Sequence, residues 1–437
     1  MPKSAVFLGY HQNSKDNKLY ETRLNGDGRE LHTYIVGASG SGKTELLKIL
    51  MHHDIHQGSA ALVVIDAHTD VCEQVARWPG DELHKRLVYL APELYPDTLP
   101  TLNPFQLPKG ATSRTKEKVA NRLGELIGDI CRGGGGADLS VRMVNVAKAS
   151  IRVLIDQPGA TLKDLRDMMG SEPPAALLKA ACNHPEPIVR EFFRSEWDSG
   201  DYEASKAAIR VRLTNLLLHR DFLHITCSPN STPLYDLVDQ GKIVLFSLGR
   251  AGSETAQIVG KMVISMMAVL GDMRKDTERG ERRPVHIFVD ECQNFMGPAV
   301  ITILTELRKY GIRLTLSNQY ITAFSRDQQS AVLTNCQAKM LGTGDAPGPM
   351  LAAMGCDLEA AQGLPQRHFL VKWGHEAVFK LQTRSDLADE KVRSTDSQWI
   401  ARKLAQKRFY VSADNQTAFA LENAPSAVLE GFTRELD

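Results

Sequence analysis

The sequence predicts an α/β fold: a mostly parallel sheet with helices on both faces, plus an inserted all-helical domain. Three observations predict it. Apolar runs such as "ALVVID" (61–66), "KIVLFSL" (242–248) and "PVHIFVD" (284–290) have the near-continuous hydrophobicity of strands covered on both faces. Segments of helical periodicity alternate with these runs, as βαβ units require. Between about Pro108 and Pro233 the strand signals vanish and helical segments follow one another.

Taken in order, residues 1–32 read as short strands, "AVFLGY" and "KLYETRL", separated by turn signals. "HTYIVG" is a strand running into "GASGSGKT". The helix that follows places Leu46, Leu47, Leu50 and Met51 on one face. "ALVVID" and "RLVYLAP" are the next strands. The helical region then contains 116–131, 139–156, 162–169, 187–197 and 202–223, with "GGGG" at 133–136 as a mobile break. Strands return at 242–248, then a helix over about 254–274 and the strand ending at Asp290. A helix over 299–310, the strand "IRLTLSNQ", a helix over 326–338 and the strand "AKMLGT" follow. Residues 367–383 read as a closing hairpin, and the polar remainder holds one amphipathic helix, "SQWIARKLAQKRF". The expected division is 1–107 and 234–384 for the sheet-bearing domain, 108–233 for the helical insertion and 385–437 for a polar tail.

Composition narrows the class. A chain of 437 residues is too long for one ordinary core, so two or three domains or subdomains are expected. With 43% hydrophobic and 24% charged residues it reads as a soluble globular protein, neither fibrous nor disordered. Its 52 basic and 52 acidic residues cancel, so any nucleic-acid contact must come from a local patch. Seven scattered cysteines form no CxxC pair, which suggests neither zinc nor a disulfide framework and fits a reducing cytoplasm. The N-terminus lacks an apolar signal region, and no long uncharged apolar stretch predicts a membrane span.

Gly37-Ala38-Ser39-Gly40-Ser41-Gly42-Lys43-Thr44 fits G-x-x-x-x-G-K-[ST] without deviation. The glycines let successive N–H groups point inward at a polyphosphate, and the following helix aims its positive end at the same place. Lys43 is expected to reach the β- and γ-phosphates and Thr44 to ligate Mg²⁺. The nucleotide expected is ATP. Asp290 and Glu291 end an apolar strand, where a parallel sheet faces its ligand crevice. Asp290 is expected to hold Mg²⁺ through water and Glu291 to polarise the attacking water. An exposed acidic turn is the plain alternative for that pair. A second acidic strand end, Asp66, His68 and Asp70, reads more readily as solvated polar groups.

Gln319 ends its strand in an amide and is placed to hydrogen-bond a phosphate oxygen or orient water. Arg308 precedes that strand by one turn and lies at the sheet's opposite edge. There it either complements a helix dipole or serves a neighbouring subunit's nucleotide. Candidate DNA contacts are Arg250, Arg326, the face carrying Lys206, Arg210 and Arg212, and "RKLAQKR" at 402–408, each also readable as solvated surface.

The order "GASGSGKT", "VVIDAHTD", "NPF" (103–105), "GKIVLFSLGRAG", "VDECQNF", "ELRKYGI" and "SNQ" resembles the HerA/FtsK superfamily of RecA-like P-loop ATPases. It is most similar to TraG/TraD-type conjugative coupling proteins and HerA helicases. The resemblance spans about residues 5–382. It implies a homohexameric ring that hydrolyses ATP with Mg²⁺ and moves single- or double-stranded DNA through its channel. By the same resemblance Lys43 and Thr44 are the phosphate and Mg²⁺ residues, Asp290 and Glu291 the second pair, Gln319 the sensor and Arg308 a finger acting in trans. A secretion-channel, relaxase or nuclease partner would follow, as would a cytoplasmic chain recruited to the inner membrane by that partner. A secretion ATPase acting on protein or pilus substrates, and a nucleotide-gated subunit of a nuclease or defence complex, are the competing readings. The sequence departs from the pattern at Asp66-Ala67-His68-Thr69, where the family has Asp-Pro-His-Gly. It also carries neither the family's N-terminal membrane helices nor a landmark after 384.

Overall fold

The structure is a computed structural model that describes residues 5–12, 18–24, 29–95, 97–131, 137–344, 347–387 and 393–412. The strands are β1 (Val6–Gln12), β2 (Leu19–Leu24), β3 (Thr33–Val36), β4 (Ala61–Asp66), β5 (Leu87–Leu90), β6 (Thr98–Pro100) and β7 (Ile243–Ser247). After these come β8 (Val285–Val289), β9 (Ile312–Asn318), β10 (Ala338–Leu341), β11 (His368–Trp373), β12 (Phe379–Thr383) and β13 (Tyr410–Ser412). Eleven of them make one sheet in the order β2-β1-β12-β11-β10-β3-β9-β8-β4-β7-β5. The stretch from β10 to β5 is wholly parallel, and β11, β12, β1 and β2 extend it antiparallel.

Every residue of β3, β4, β5, β7 and β8 is buried, because helices cover both faces. That explains why these runs show no polar alternation. Each fully buried Val, Ile or Leu contributes about 1.5–3 kcal/mol. The first helix, Lys43–Gln57, buries the four apolar residues expected.

Helices occupy 113–226 with no strand among the described residues. The run expected over 202–223 is two helices, Gly200–Leu217 and Arg220–Thr226. The backbone turns to extended at His219, and Phe222 and Ile225 are both buried beyond it. The helix expected over 187–197 ends in a wider π turn, closed by the Trp197 N–H on the Phe192 carbonyl at 2.9 Å. Short helices at Ala175–Cys182, Leu234–Asp239 and Gly348–Met354 had no expectation. The "GGGG" break lies outside the described residues.

One apolar cluster runs from Leu123, Ile127, Ile151 and Leu213 of the helical region through Val259 and Val263 to Val63 and Ile65 of the sheet. The two regions therefore share a core. Asn103 of "NPF" ties the crossing: its side-chain amide donates to the Ala160 carbonyl at 2.8 Å, and its backbone N–H donates to Ser231 Oγ at 2.8 Å.

Ser253–Asp276 is the one helix among the described residues long and apolar enough to cross a bilayer, against the expectation of none. Most of it is buried inside the protein, so its apolar surface is already covered by the sheet and the helical region.

The described part of the expected polar tail is folded onto the sheet. Helix Asp396–Gln406 lies against edge strand β5, where Gln406 accepts from the Tyr89 N–H at 2.9 Å. Its amide N–H donates to the Leu87 carbonyl at 3.4 Å. Tyr410 O–H donates to the Tyr89 carbonyl at 2.8 Å. These side chains pair backbone groups that an edge strand would leave open. β13 pairs with β6 in a small second sheet.

Candidate nucleotide-binding site

β3 delivers the loop 37–44 at the C-terminal edge of the parallel sheet. Gly40 and Gly42 take φ of +76° and +99°, a backbone that side-chain-bearing residues resist. The loop is braced from both neighbours: Gly37 N–H donates to the Asn318 carbonyl at 3.4 Å, and Ala38 N–H to the Thr343 carbonyl at 2.7 Å. No side chain caps the helix that starts at Lys43, so its first-turn N–H groups face the loop's hollow unblocked. Lys43 lies buried across the loop and donates from Nζ to the Gly37 and Ala38 carbonyls at 2.7 and 3.1 Å. Burial pulls its pKa down, and the charges of Glu291 and Asp290 pull it back up.

β9 lies between β3 and β8, with Val36 opposite Asn318 and Val289 opposite Leu316. The end of β9 therefore stands between the loop and the acidic pair. Its three polar residues do three different things. Ser317 Oγ donates to Asp290 Oδ1. Asn318, fully buried, accepts from Tyr34 O–H at 2.7 Å and donates to the Tyr320 carbonyl at 2.9 Å. Gln319, exposed, donates to Glu291 Oε1 at 3.1 Å.

Asp290 is half-buried, and its carboxyl is pushed above the usual range by burial and by the negative charges of Glu291 and Asp66, against the opposing Ser317 hydrogen bond. Glu291 takes φ +47°, a left-handed conformation rare for this residue type. Its second carboxylate oxygen accepts from Gln293 Nε2 at 2.8 Å, so both oxygens are held by amides. Ser317 and Gln293 were not singled out in the sequence. Their signals were present, Ser317 beside the amide pair and Gln293 two residues after Glu291.

The residues fit a nucleotide with Mg²⁺. The uncapped helix start and Lys43 suit phosphate. A divalent cation would relieve the crowding of carboxylates around Asp290. No group of three or more His, Cys, Asp or Glu among the described residues forms a metal site alone. That suits Mg²⁺, which usually takes one or two protein ligands and completes its shell with phosphate oxygens and water. Thr44 and Asp290 are the residues that would hold it.

Asp66 is spent locally. Its carboxylate accepts from the His68 and Cys72 N–H groups at 2.8 and 2.9 Å, which shapes the turn where Thr69 takes φ +78°. The His68 ring is exposed.

Comparison with known proteins places this arrangement. Residues 284–348, from β8 to just past β10, match the family model described as the TraM recognition site of TraD and TraG. The plasmid coupling protein TrwB in complex with ADP and Mg²⁺ superimposes with a TM-score of 0.61 at 12% identity, covering 88% of this chain and 95% of that one. VirB4 of Thermoanaerobacter pseudethanolicus superimposes with a TM-score of 0.55 at 14% identity, covering 90% of this chain and 98% of that one. The fold is that of the coupling protein TrwB and of VirB4. None of the curated proteins is similar to the chain.

In this coupling-protein fold the sheet's other edge is also specialised. Arg308 is not on a regular α-helix: Pro298–Thr302 widens into a π turn at Ile303–Leu307 and tightens into a 3₁₀ turn at Arg308–Tyr310. Gly311 ends it at φ +84°, and β9 then runs seven residues to Asn318. At about 3.3 Å per residue, that puts Arg308 roughly 20 Å from the phosphate loop. Arg308 lines a cavity of about 510 Å³ with Glu30, Arg279, Arg282, Lys309, Tyr310 and Arg313. Five cations face one carboxylate there.

Of the residues considered for DNA, three are committed elsewhere. Lys206 is buried and donates to the Trp197 carbonyl at 2.9 Å. Arg212 pairs with Glu254 at 2.7 Å, and buried Arg402 donates to the Ala76 and Trp78 carbonyls. Lys206 and Arg402 are buried in the protein, whereas Arg212 is partly exposed and held by its ion pair. Arg210, Arg250, Arg326, Lys407 and Arg408 are exposed.

Proposed function

We propose that this chain is an ATP-driven ring motor that moves DNA, serving conjugation-type transfer or HerA-like DNA processing. Residues 37–44 bind the nucleotide, with Lys43 on its phosphates. Thr44 and Asp290 hold Mg²⁺, which when bound neutralises phosphate charge. Glu291 is the general base that takes a proton from the attacking water, and Gln319, hydrogen-bonded to it, fixes its carboxylate and orients that water.

The observation that carries the ring is the separation of two charge sets. The carboxylates and amides stand at one edge of the sheet, and Arg308 with its cationic neighbours lines a cavity at the other. An arginine roughly 20 Å away along β9 cannot reach the phosphates of its own subunit. Stacked head to tail in a closed ring, that cavity meets the next subunit's triphosphate, and hydrolysis comes to depend on assembly. A homohexamer is the assembly proposed, and a secretion-channel, relaxase or nuclease component is the partner class. The cell compartment proposed is the cytoplasm, with recruitment to the inner membrane. DNA contact falls to exposed cations such as Arg250 and Arg326, which bind the backbone without reading sequence.

ATPase activity measured against protein concentration, with and without single- and double-stranded DNA, tests assembly and substrate together. Specific activity should rise with concentration and rise further with DNA. Turnover per chain that is flat with concentration would refute the trans arginine. Turnover indifferent to DNA would instead favour a secretion ATPase working on protein.

A further inference from the structure

Arg367 is the third non-glycine residue with positive φ among the described residues, at +63°, after Thr69 and Glu291. β11 runs antiparallel to β10, so its start lies at the edge where β3 and β10 end. Arg367 immediately precedes β11 and is bonded directly to the phosphate loop. Its N–H donates to the Ser41 carbonyl at 2.9 Å, and its own carbonyl accepts from the Thr383 N–H at 3.0 Å. The side chain leaves this anchored backbone across Gly42. A Cβ added at Gly42 would sit 3.2 Å from Arg367 Cγ and 3.3 Å from its Cα. Lys43 is the next residue. Among the described residues the half-buried Arg367 side chain has no hydrogen-bond or ion-pair partner.

We propose that Arg367 is a cis-acting phosphate ligand, placed over the N-terminal end of the phosphate-loop helix to bind the nucleotide held by its own subunit. The inference rests on the nucleotide-binding reading above. A guanidinium beside an anion cradle of backbone N–H groups offers paired donors to non-bridging phosphate oxygens, which an ammonium cannot match. The strained backbone supports the assignment. Glycine would take φ +63° freely, so an arginine at this position brings a side chain where the backbone alone would be better without one. Because Arg367 lies beside Gly42, at the part of the loop that cradles the α- and β-phosphates, a diphosphate suffices to engage it. Its action differs from that of Arg308: it contributes to binding, within one chain, at any protein concentration.

The test is isothermal titration of ADP and of a non-hydrolysable ATP analogue, each with Mg²⁺, into the wild-type chain, Arg367→Gly, Arg367→Asn, Arg367→Lys and Lys43→Ala. Gly and Asn both tolerate the left-handed backbone, so they remove the guanidinium while keeping the brace on Ser41. Either should bind ADP about 10- to 100-fold more weakly, as loss of a charge-assisted hydrogen bond predicts, with thermal stability retained. Arg367→Lys should fall between. If Arg367→Gly and Arg367→Asn bind ADP as tightly as the wild-type chain while Lys43→Ala does not, the proposal is wrong and Arg367 only braces the loop. If the wild-type chain binds neither nucleotide, the phosphate-loop reading itself fails and the proposal falls with it.

Discussion

The two edges of the parallel sheet are built from the same strands and have opposite chemistry. At the C-terminal edge, Asp66 ends β4, Asp290 and Glu291 follow β8 and Gln319 follows β9, and burial together with the charges of Glu291 and Asp66 raises the pKa of Asp290. At the N-terminal edge, Arg279, Arg282, Arg308, Lys309 and Arg313 face a single carboxylate, Glu30. Beneath that cavity lies a buried network. Arg29 Nε donates to Asp54 Oδ1 at 3.1 Å, and the His286 ring meets Asp54 Oδ2 at 2.6 Å. Arg313 donates to the other His286 nitrogen at 3.1 Å. Asp54 sits on the helix that begins at Lys43. The comparison teaches that one edge concentrates negative charge, while the other keeps positive charge in excess after its internal pairs are satisfied.

The largest effect expected is from Arg308→Ala. Its ATP turnover should fall by about 10³–10⁵ at unchanged nucleotide affinity, as for other arginines supplied in trans. Mixing it with Lys43→Ala should restore part of the activity, because one subunit keeps the loop and the next keeps the arginine. Normal turnover in Arg308→Ala would break the comparison at its lower edge. Glu291→Gln should lower kcat by about 10²–10⁴ with nucleotide binding intact. Here mixing with Lys43→Ala should restore nothing, since both changes strike the same edge of each subunit. Rescue in that pair would show that the acids, too, serve a neighbour.

The buried network predicts effects on stability. Asp54→Ala strands Arg29 and should destabilise the fold by about 3–5 kcal/mol in urea unfolding, a cost typical of breaking a buried ion pair. A variant as stable as wild type would remove Asp54 from the account.

The smallest effect is a pH dependence. Burial, opposed by Asp54, lowers His286 to about 4, and burial with the charge of Arg308 lowers His32 to about 3. Both sit below the unfolded value near 6.5, so the unfolded chain binds more protons across that interval. Stability should therefore decline as pH falls from about 6.5 towards 3. Burial would raise the Asp54 carboxyl, but Arg29 and His286 hold it well below the usual range, so its own contribution is lost only below about pH 4. His286→Asn should flatten the upper part of the decline; an unchanged profile would assign that titration elsewhere.

Much of this was legible in the chain itself. Continuous apolar runs gave the parallel strands because a strand buried on both faces has no polar side to show. The phosphate loop was legible because its spacing is dictated by backbone geometry around phosphate. The Asp290–Glu291 pair and the amide at Gln319 were legible because polar residues ending apolar strands must face a crevice. Three-dimensional neighbours were not. That Ser317 grips Asp290, that Gln319 holds Glu291, and that Arg367 crosses Gly42 follow from which strands lie side by side, and strand order is not local information. The same holds for Lys206, Arg212 and Arg402, whose charges look solvent-bound in sequence and are spent on carbonyls and acids. So too for the residues after 393, whose polar composition concealed Gln406 and Tyr410 pairing the open edge of β5. The sequence by itself determined the local devices, because loop curvature, helix periodicity and strand burial act over a few residues. Only the tertiary structure decided which devices share a site and at which edge each arginine lies, because those contacts join residues from tens to hundreds of positions apart.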